Sequence, residues 1–308
     1  MSVFVVGSFV MDIVTTTNLV PNKGETVLGL SYDLYPGGKG INQAVSANRL
    51  GSKVIMAGAL GQDDYGKTFK NLMKNEGIES QYVKLKQSRT GLGNIVLNKE
   101  TADNQIIVIP GANHDYNLED LKSLEDEIKN ANVIVAQLEL PINVVESLAL
   151  LCGRYKKKFI LNPAPAAKLK DETYPFITYL TPNETELAWL TNIPIQSNED
   201  IKDAAKKLLN KGVENVIVTL GDKGSMWVHK DFVKVHPGYH QKAVDTVGAG
   251  DTFNGALAYG IDHDLNADEI LKIANAAGSL CVTKHGAIPS IPNMKEVQEF
   301  LRKLKPNT

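Results

Sequence analysis

Residues 132–162 read NVIVAQLELPINVVESLALLCGRYKKKFILN. Two short runs rich in β-branched residues enclose a segment whose apolar residues recur with the period of an α-helix. The runs NVIVAQLE (132–139) and KFILN (158–162) are therefore predicted strands, and the segment near 142–155 is a predicted helix. Two strands joined by a crossover helix run parallel, so this stretch indicates an α/β fold.

The same alternation of strands and helices continues on both sides of this stretch. Further predicted strands are VFVVG (3–7), KVIMAG (53–58), TYLTPN (178–183) and NVIVTLG (215–221), and further predicted helices lie from about Ile41, near 67–76, near 198–211, near 249–261 and near 266–284. We therefore predict a doubly wound α/β fold with a mostly parallel central sheet flanked by helices. Because no linker or repeat interrupts the pattern, residues 1–308 are expected to form a single domain.

Two segments, at about 13–36 and 89–109, break this alternation. The first is rich in Thr, Val and Tyr, and the second contains GLGNIVLN and NQIIVIPG, which are typical of a hairpin. Both are predicted to form strands without helices, so we expect a small β-sheet that projects from the main sheet as a lid. A second copy could cover the unpaired strands of this lid, which favours a homodimer.

The composition argues against several classes of function. Hydrophobic residues make up 43% of the 308 residues and charged residues 22%, as in ordinary globular proteins. With 33 basic and 35 acidic side chains the net charge is −2, which offers no broad field for nucleic acid or an anionic membrane. The N-terminus does not resemble a signal peptide, and no window approaches the roughly 20 apolar residues of a membrane span. We therefore expect a cytoplasmic protein without nucleic-acid or membrane partners.

The motif DTVGAGDTFNGA (245–256) lies at the start of a predicted helix. The backbone N–H groups of Gly248, Ala249 and Gly250, together with the helix N-terminus, can form an anion hole for a phosphoryl group. Asp251 follows directly, and its charge is wrong for phosphate binding but right for a base that takes a proton from an attacking hydroxyl. From these residues alone, a simple helix cap at Asp251 is an equally good interpretation.

Three other motifs have both a functional and a simpler interpretation. The glycines of GGKGINQA (37–44) allow close approach of a ligand, and Asn42 can bind hydroxyls. The simpler interpretation is that the Gly-Gly turn only marks the start of a helix. In NETE (183–186), Glu186 can be a charge match to a helix N-terminus. TLGDKG (219–224) alone is typical of a hairpin turn.

Taken together, these motifs resemble those of the ribokinase-like carbohydrate kinase family. The resemblance also includes GSFVMD (7–12) and QLELP (137–141), and it extends through essentially the whole chain. It implies an ATP-dependent kinase for a small sugar, with phosphorylation of ribose at its terminal hydroxyl as the default. Alternatives within the class are kinases for 2-deoxyribose, fructose or a nucleoside.

The resemblance also implies a role for each matching residue. Gly248, Ala249 and Gly250 would supply the anion hole and Asp251 the base. The implied sugar-binding residues are Val10, Asp12, Gly38, Lys39, Asn42, Glu139 and Asp251, and the implied nucleotide-binding residues are Asn183, Glu186, Thr219, Gly221, Lys223, Gly224, Gly250 and Asn275. Val10 departs from the pattern, because these kinases often carry an asparagine there that bonds a sugar hydroxyl. Since valine cannot do so, turnover of 2-deoxyribose beside ribose is predicted.

The cofactors that the resemblance implies are ATP, Mg²⁺ and a monovalent cation, K⁺. Mg²⁺ is expected to accompany the nucleotide, because no cage of carboxylates is visible in the sequence. The implied K⁺ site comprises Asp245, Val247, Cys281, Lys284, Gly286 and Ser290. The alternative is a pair of ordinary loops joined by a cap.

One further motif, GQDDYGKT (61–68), satisfies the P-loop pattern between a predicted strand and a predicted helix. A P-loop nucleotide switch is therefore the alternative outside the kinase class. Asp63 and Asp64 would place two negative charges in a loop that should cradle phosphate, so we predict a structural turn there instead.

Overall fold

The structure, a computed structural model, describes residues 2–101 and 103–304. In chain order its strands are β1 (Val3–Val6), β2 (Val10–Thr17), β3 (Ser31–Gly37), β4 (Val54–Gly61), β5 (Glu79–Lys86), β6 (Gly91–Asn98), β7 (Asn104–Ile109), β8 (Val133–Gln137), β9 (Lys158–Asn162), β10 (Tyr179–Leu180), β11 (Asn215–Thr219), β12 (Gly224–His229) and β13 (Val233–Pro237). Its α-helices are α1 (Lys39–Leu50), α2 (Asp64–Glu76), α3 (Leu118–Lys122), α4 (Glu125–Asn130), α5 (Ile142–Arg154), α6 (Glu184–Thr191), α7 (Asn198–Leu209), α8 (Ala249–Asp262), α9 (Ala267–Cys281), α10 (Ala287–Ser290) and α11 (Met294–Lys303).

The larger sheet has the strand order β13-β12-β11-β10-β9-β8-β1-β4-β5. Neighbouring strands from β11 to β5 are parallel, and only the pairs β11–β12 and β12–β13 are antiparallel. The unit β8–α5–β9 corresponds to the stretch from which the fold was predicted. The predicted α/β fold with a mostly parallel central sheet is therefore confirmed.

Helices cover both faces of this sheet, as strand β1 shows. Phe4 and Val6 belong to one hydrophobic core, whereas Val3 and Val5 belong to another. The first core includes Leu148 of α5 and the second includes residues of α8. Because both faces are covered, β1 is a continuous apolar run and does not alternate with polar residues.

The smaller sheet has the strand order β3-β2-β6-β7. Strand β2 pairs antiparallel with β3 and parallel with β6, and β6 and β7 form the predicted hairpin. The predicted small β-sheet is thus present. Its first strand begins at Val10, three residues before the predicted segment, so Asp12 lies within the sheet.

Several elements differ from the sequence prediction. The strand predicted at 178–183 is only Tyr179–Leu180, and the helix predicted near 67–76 begins at Asp64. Strands β5, β12 and β13 and helices α3, α4, α10 and α11 were not predicted, and of α6 only the start near Glu186 was predicted. None of the described helices has the length and apolar character needed to cross a membrane.

Candidate functional site

The predicted site residues converge where parallel strands of the larger sheet end. Glu139 follows β8, Asn183 follows β10, and Thr219 is the last residue of β11. Helices α1 and α8, which carry Asn42 and Asp251 in their first turns, begin at the same edge and pack against each other. This edge is where open α/β sheets bind ligands.

Asp251 is held by two side-chain amides of helix α1. Its Oδ2 accepts a hydrogen bond from Asn42 Nδ2 at 2.9 Å, and its Oδ1 accepts one from Gln43 Nε2 at 3.0 Å. The side chain is 7% exposed. The N-cap of α8 is Gly248, without a side-chain cap. The interpretation of Asp251 as a simple helix cap is therefore wrong.

Gly248, Ala249 and Gly250 form the turn that opens α8. Gly248 has a φ of 81°, and a Cβ there would lie 3.0 Å from the Ala287 side chain, so the turn requires glycine. A Cβ at Gly250 would meet no atom within 4 Å, so the backbone is open to a ligand at this point. The Ala249 N–H donates to the Thr246 carbonyl oxygen at 3.3 Å. First-turn N–H groups otherwise have no acceptor within their helix, which leaves them available to an anion.

Asp12, Lys39 and Glu139 form a charged cluster with Asp251. Glu139 accepts hydrogen bonds from the Lys39 backbone N–H, at 2.9 Å, and from the Ser8 hydroxyl. Burial, reinforced by Glu139 and Asp251, raises the pKa of Asp12 to about 7. Burial opposes the charge of Lys39, but the carboxylates of Asp251, Glu139 and Glu186 nevertheless raise its pKa. Such a cluster offers hydroxyl groups several acceptors and one cationic donor.

Two glycines make room for Asp12, a contact that was not predicted from the sequence. A Cβ at Gly93 of β6 would lie 2.2 Å from Asp12 Oδ1, and a Cβ at Gly37 of β3 would lie 2.8 Å from Oδ2. The Asp12 carboxyl group therefore occupies space that any other residue at Gly93 would fill. A glycine inside a strand is the sequence signal for such a close approach.

Asn42 has a buried acceptor for which the described part of the chain provides no partner. The residue is 4% exposed, and its Oδ1 makes no hydrogen bond. An unpaired buried acceptor is costly, so a hydroxyl donor from a ligand would stabilise it. Nearby, a Cβ at Gly38 (φ 100°) would lie 2.7 Å from the Val10 backbone nitrogen. Val10 is 6% exposed, and strand alternation places it on the same face of β2 as Asp12.

A cavity of about 420 Å³ lies on the other side of the α8 N-terminus. Six of the predicted nucleotide-binding residues line it: Asn183, Thr219, Gly221, Gly224, Gly250 and Asn275. Lining residues that were not predicted include Tyr239, Gln241, Phe253, Ser279 and Val282. These residues carry no motif signal: Phe253 and Val282 are apolar, Tyr239 and Gln241 come from the loop after β13, and Ser279 is a single polar residue within α9. The Asn275 amide is fixed by hydrogen bonds to Ser225 Oγ and Leu271 O, both at 2.7 Å.

Two predicted nucleotide-binding residues do not line this cavity. Glu186 forms a capping box with Asn183: the Glu186 backbone N–H donates to Asn183 Oδ1 at 2.7 Å, and the Asn183 N–H donates to Glu186 Oε2 at 2.9 Å. Burial raises the pKa of Glu186. Lys223 lies 3.8 Å from Glu184 in an exposed ion pair. The contacts of Glu186 with Asn183 are those of a residue at a helix start, which is the simpler of the two interpretations.

The six residues of the predicted K⁺ site occupy two adjoining loop regions, in which Cys281 is the last residue of α9 and Ser290 the last residue of α10. Asp245 joins these loops, because its Oδ1 accepts from Val247 N at 3.0 Å and its Oδ2 accepts from Gly286 N at 2.9 Å. Cys281 Sγ lies 2.9 Å from Ser290 Oγ. Lys284 pairs with Glu296 at 3.2 Å, so only its backbone remains for an ion. These contacts are compatible with both interpretations, a cation site and two loops joined by a cap.

The donor chemistry of these loops fits a hard monovalent cation. A carboxylate, backbone carbonyl groups and the Ser290 hydroxyl are oxygen donors, which such ions prefer. A site for a transition metal is different, and no group of three or more His, Cys, Asp or Glu residues that could hold a metal occurs within 2–101 and 103–304.

The P-loop-like segment at 61–68 is a structural turn. Asp63 Oδ1 accepts from Gly66 N at 2.8 Å and from Thr90 Oγ1 at 2.7 Å, and its Oδ2 accepts from Thr90 N at 2.9 Å. Lys67 lies on the surface, 2.8 Å from Asp64. Because Asp63 already occupies a loop amide that a phosphate would need, the nucleotide-switch alternative is not favoured.

Comparisons with known proteins agree with this geometry. The chain matches the pfkB family of carbohydrate kinases over residues 1–294. It is 37% identical to ribokinase of Haemophilus influenzae, over 96% of this chain and 97% of that protein. It is 36% identical to deoxyribokinase of Salmonella typhi, over 98% of this chain and 99% of that protein.

Among solved structures, ribokinase of Arabidopsis thaliana complexed with ribose and ATP superposes with a TM-score of 0.91 at 32% identity, covering 98% of each chain. The family match and both full-length relatives agree with the fold and with the motifs at the strand ends. The chain therefore belongs to the pfkB family of carbohydrate kinases and is a phosphotransferase that acts on a sugar hydroxyl.

Proposed function

We propose that the protein transfers the γ-phosphoryl group of ATP to the 5-hydroxyl of D-ribose, with Asp251 as the general base. The position of Asp251 is the observation that carries this proposal. Its carboxylate lies beside the charged cluster of Asp12, Lys39 and Glu139, and the adjacent Gly250 lines the nucleotide cavity. A base in this position lies between a sugar and a phosphoryl donor.

The proposed chemical step consists of one proton transfer and one phosphoryl transfer. Asp251 accepts the proton of the sugar hydroxyl as the oxygen attacks the γ-phosphorus. A new O–P bond forms, the bond to the oxygen that bridges the β- and γ-phosphorus atoms breaks, and ADP leaves with that electron pair. The amides of Gly248, Ala249 and Gly250 stabilise the negative charge that spreads over the transferred group.

The sugar is held by the groups that face the same space. Asp12 and Glu139 accept hydrogen bonds from hydroxyls, and the Asn42 Oδ1, which has no protein partner, accepts one more. The Gly38 backbone and the Lys39 side chain complete this set. Positioning of this kind is the main source of rate enhancement in phosphoryl transfer.

The residues that line the cavity suit the nucleotide. Asn183, Thr219, Gly221, Gly224 and Asn275 would contact ATP, and Glu186 and Lys223 would act from beside the cavity. Mg²⁺ neutralises phosphate charge and would be held mainly by the nucleotide and water, because the described residues offer it no cage.

K⁺ would lie between the loops at Asp245–Val247 and Cys281–Ser290, where it adds positive charge beside the anion hole. The oxygen donors of these loops support this assignment. Activity measured in sodium-free buffer should rise when KCl is added and should not rise with tetramethylammonium chloride. Equal activity with both salts would remove the K⁺ site from the proposal.

The smaller sheet serves as a lid over the sugar, with lid segments at about 13–36 and 89–109 of a single domain. Strand register supports this role: Asp12 pairs with Gly93, and Gly93 pairs with Val108, so these residues share the face over the site. Closure would exclude water and limit hydrolysis of ATP.

The opposite face of the lid suits a second copy of the chain. Ile13, Leu34, Asn94 and Ile107 form one cross-strand row on that face. Leu34 is 46% and Ile107 63% exposed, and Tyr32 and Ile109 are exposed apolar residues on the same face. Contiguous exposed apolar surface of this kind marks an interface, so we include a homodimer in the proposal. A cytoplasmic location stays a prediction from the sequence.

Val10 supports 2-deoxyribose as a second substrate. Its apolar side chain is nearly buried and shares the face of β2 with Asp12, so it offers no hydrogen bond to a hydroxyl. A site without that partner does not discriminate against a sugar that lacks the hydroxyl. The similarity to a deoxyribokinase agrees with this expectation, although the relatives named ribokinase favour ribose.

ADP release measured with a panel of pentoses, hexoses and nucleosides tests the proposal. Ribose should give the highest kcat/KM, with measurable turnover of 2-deoxyribose, and ³¹P-coupled NMR of the product should place phosphate on the 5-oxygen. Turnover of a nucleoside or fructose in preference to both pentoses would contradict the substrate assignment. A 2-deoxyribose rate at background would contradict the second substrate only.

A further inference from the structure

Three buried amide side chains lie directly behind Asp251. Gln43, Gln137 and Asn162 come from α1, β8 and β9, and each is at most 7% exposed. We call these residues, together with the Thr181 backbone carbonyl, the amide chain. Buried amides are costly unless they are bonded, and a layer of apolar side chains would fill the same space without that cost. Their presence beside the proposed base indicates a role in its chemistry.

The hydrogen bonds of the amide chain have a single direction. Asn162 Nδ2 donates to the Thr181 carbonyl oxygen at 3.0 Å, and a carbonyl can only accept. The Asn162 Oδ1 must therefore face Gln43, whose Nε2 donates to it at 3.1 Å. Gln137 Nε2 donates to Gln43 Oε1 at 2.7 Å, which fixes the other end of the Gln43 amide.

The consequence is a fixed N–H donor beside the base. With both ends of the Gln43 amide fixed, its Nε2 also donates to Asp251 Oδ1 at 3.0 Å. If the Gln43 amide were flipped, two oxygens would face each other at Asn162 and again at Asp251. The backbone at Gly7 packs against this arrangement, since a Cβ there would lie 2.4 Å from Gln137 Oε1. The amide chain therefore has little freedom to reorganise.

We propose that Gln43 is a positioning residue that fixes the Asp251 carboxylate in one orientation, with Gln137 and Asn162 fixing Gln43. Asn42 holds Oδ2, and Gln43 holds Oδ1, so the carboxylate plane is set by two donors from adjacent residues of α1. Donors to a carboxylate favour its charged form and remove the need to orient it during reaction. This inference rests on the proposed role of Asp251 as the base.

Other charged or titratable groups also act on Asp251, and a pH test must separate them from Gln43. They are Asp12 of β2, Lys39 of α1, Glu186 of α6 and Cys281 of α9. All of them remain unchanged when only Gln43 is replaced. A difference in the pH profile between two Gln43 variants of similar size therefore reports on the group at position 43.

Two substitutions of Gln43 test the proposal with ribose and ATP as substrates. Gln43→Leu keeps the volume but removes the donor, and kcat should fall about 10-fold or more while KM for ribose changes less than about threefold. Gln43→Glu places a like charge beside Asp251, so the acidic limb of the kcat profile should move about one pH unit or more upward. Its loss of kcat should thus be larger at pH 6 than at pH 8.

Ser46→Ala is the matched control. Ser46 is buried one turn further along α1, and its Oγ donates to the Thr252 carbonyl at 2.8 Å, so it also links α1 to α8. This variant loses a hydrogen bond between the same helices without touching Asp251. It should keep kcat within about twofold and leave the pH profile in place, even if Tm falls.

Gln137→Met covers the case in which a Gln43 variant does not fold. It removes the N–H that fixes Gln43 Oε1 without a contact to Asp251, and kcat should fall by a smaller factor with ribose KM unchanged. The proposal is overturned if the folded variants at 43 and 137 keep wild-type kcat and pH profile and differ only in Tm. If Asp251→Asn remains active, the proposed function fails first; if it is inactive while these variants are unaffected, only the role of Gln43 fails.

Discussion

The protonation of Asp12 depends strongly on its surroundings. Burial and the charges of Glu139 and Asp251 raise its pKa to about 7, whereas an unfolded chain leaves an aspartate near 4. The folded state therefore binds a proton that the unfolded state has lost over this range. The stabilising contribution of Asp12 is fully present below about pH 4 and is lost as the pH rises through about 7.

Asp12→Asn should make this contribution visible. The free energy of unfolding of the wild type should fall relative to that of the variant between pH 4 and 7, because only the wild type has a carboxyl group at position 12 to ionise. Urea unfolding at several pH values measures the difference. Asp33→Asn, on the exposed part of neighbouring β3, is the control and should show a constant difference. A constant difference for Asp12→Asn as well would contradict the raised pKa.

At this scale the sequence predicts the chemistry of residues within motifs and misses contacts made by residues outside them. Asp251 and Asn42 were predicted from short motifs whose residue types suit the reaction, and Glu139 from the family resemblance of its motif. Gly93 and Asn162 were not, because their partners, Asp12 and Gln43, are distant in sequence. Only the fold brings these pairs into contact, and a lone glycine or asparagine carries no signal of its partner.

At the scale of elements, the smaller sheet depends on glycine where its strands pass the proposed sugar site. The carboxyl group of Asp12 on β2 occupies the volume that a side chain at Gly93 of β6 would take. The registered pairing of Asp12 with Gly93 makes this overlap unavoidable. The two strands thus position Asp12, the proposed sugar-binding group, through the absence of a side chain on one of them.

Gly93→Ala should displace Asp12 and weaken sugar binding. We expect KM for ribose to rise roughly 10-fold or more, since an interaction with the bound sugar is lost, with a smaller change in KM for ATP. Gly29→Ala, where a Cβ would be 3.6 Å from its nearest neighbours, is the control and should bind ribose normally. Steady-state kinetics for both substrates decide the matter, and an unchanged ribose KM in Gly93→Ala would count against the role of Asp12.

How well a strand could be predicted from the sequence depends on its position in the sheet. The buried strands β1, β8 and β9 were predicted nearly to their ends, because strands covered on both faces are continuous apolar runs. The edge strands β5 and β13, with sequences ESQYVKLK and VKVHP, were missed because polar and charged residues interrupt their apolar pattern. Of helix α6 only the start was predicted, because the residues Asn183 to Glu186 were interpreted mainly as part of a site.

At the scale of the molecule, the lid has two apolar faces with different proposed uses. Ile106 and Val108 lie on the face that carries Asp12, and Ile107 lies on the opposite face. These residues are all more than half exposed. We expect the Asp12 face to close over the sugar and the Ile107 face to pair with a second copy.

Ile107→Asp should therefore convert a dimer to a monomer. A charge buried at an interface between two copies costs several kcal/mol unless it is paired. Sedimentation equilibrium of wild type, Ile107→Asp and the control Ile106→Asp measures the masses. The control should remain dimeric. A wild type that is monomeric throughout the concentration range, or an Ile107→Asp variant with the wild-type mass, would exclude this interface.

The central claim is that the Asp251 carboxylate takes the proton of the attacking hydroxyl, and Asp251→Asn tests it most directly. The amide preserves the shape of the side chain but cannot act as the base, so kcat for ribose phosphorylation should fall by on the order of 10²-fold or more. Ribose affinity, measured by calorimetry, should stay within a few-fold, and the surface control Lys67→Ala should keep wild-type kcat. An Asp251→Asn variant that binds ribose and retains a kcat within a few-fold of wild type would contradict the account.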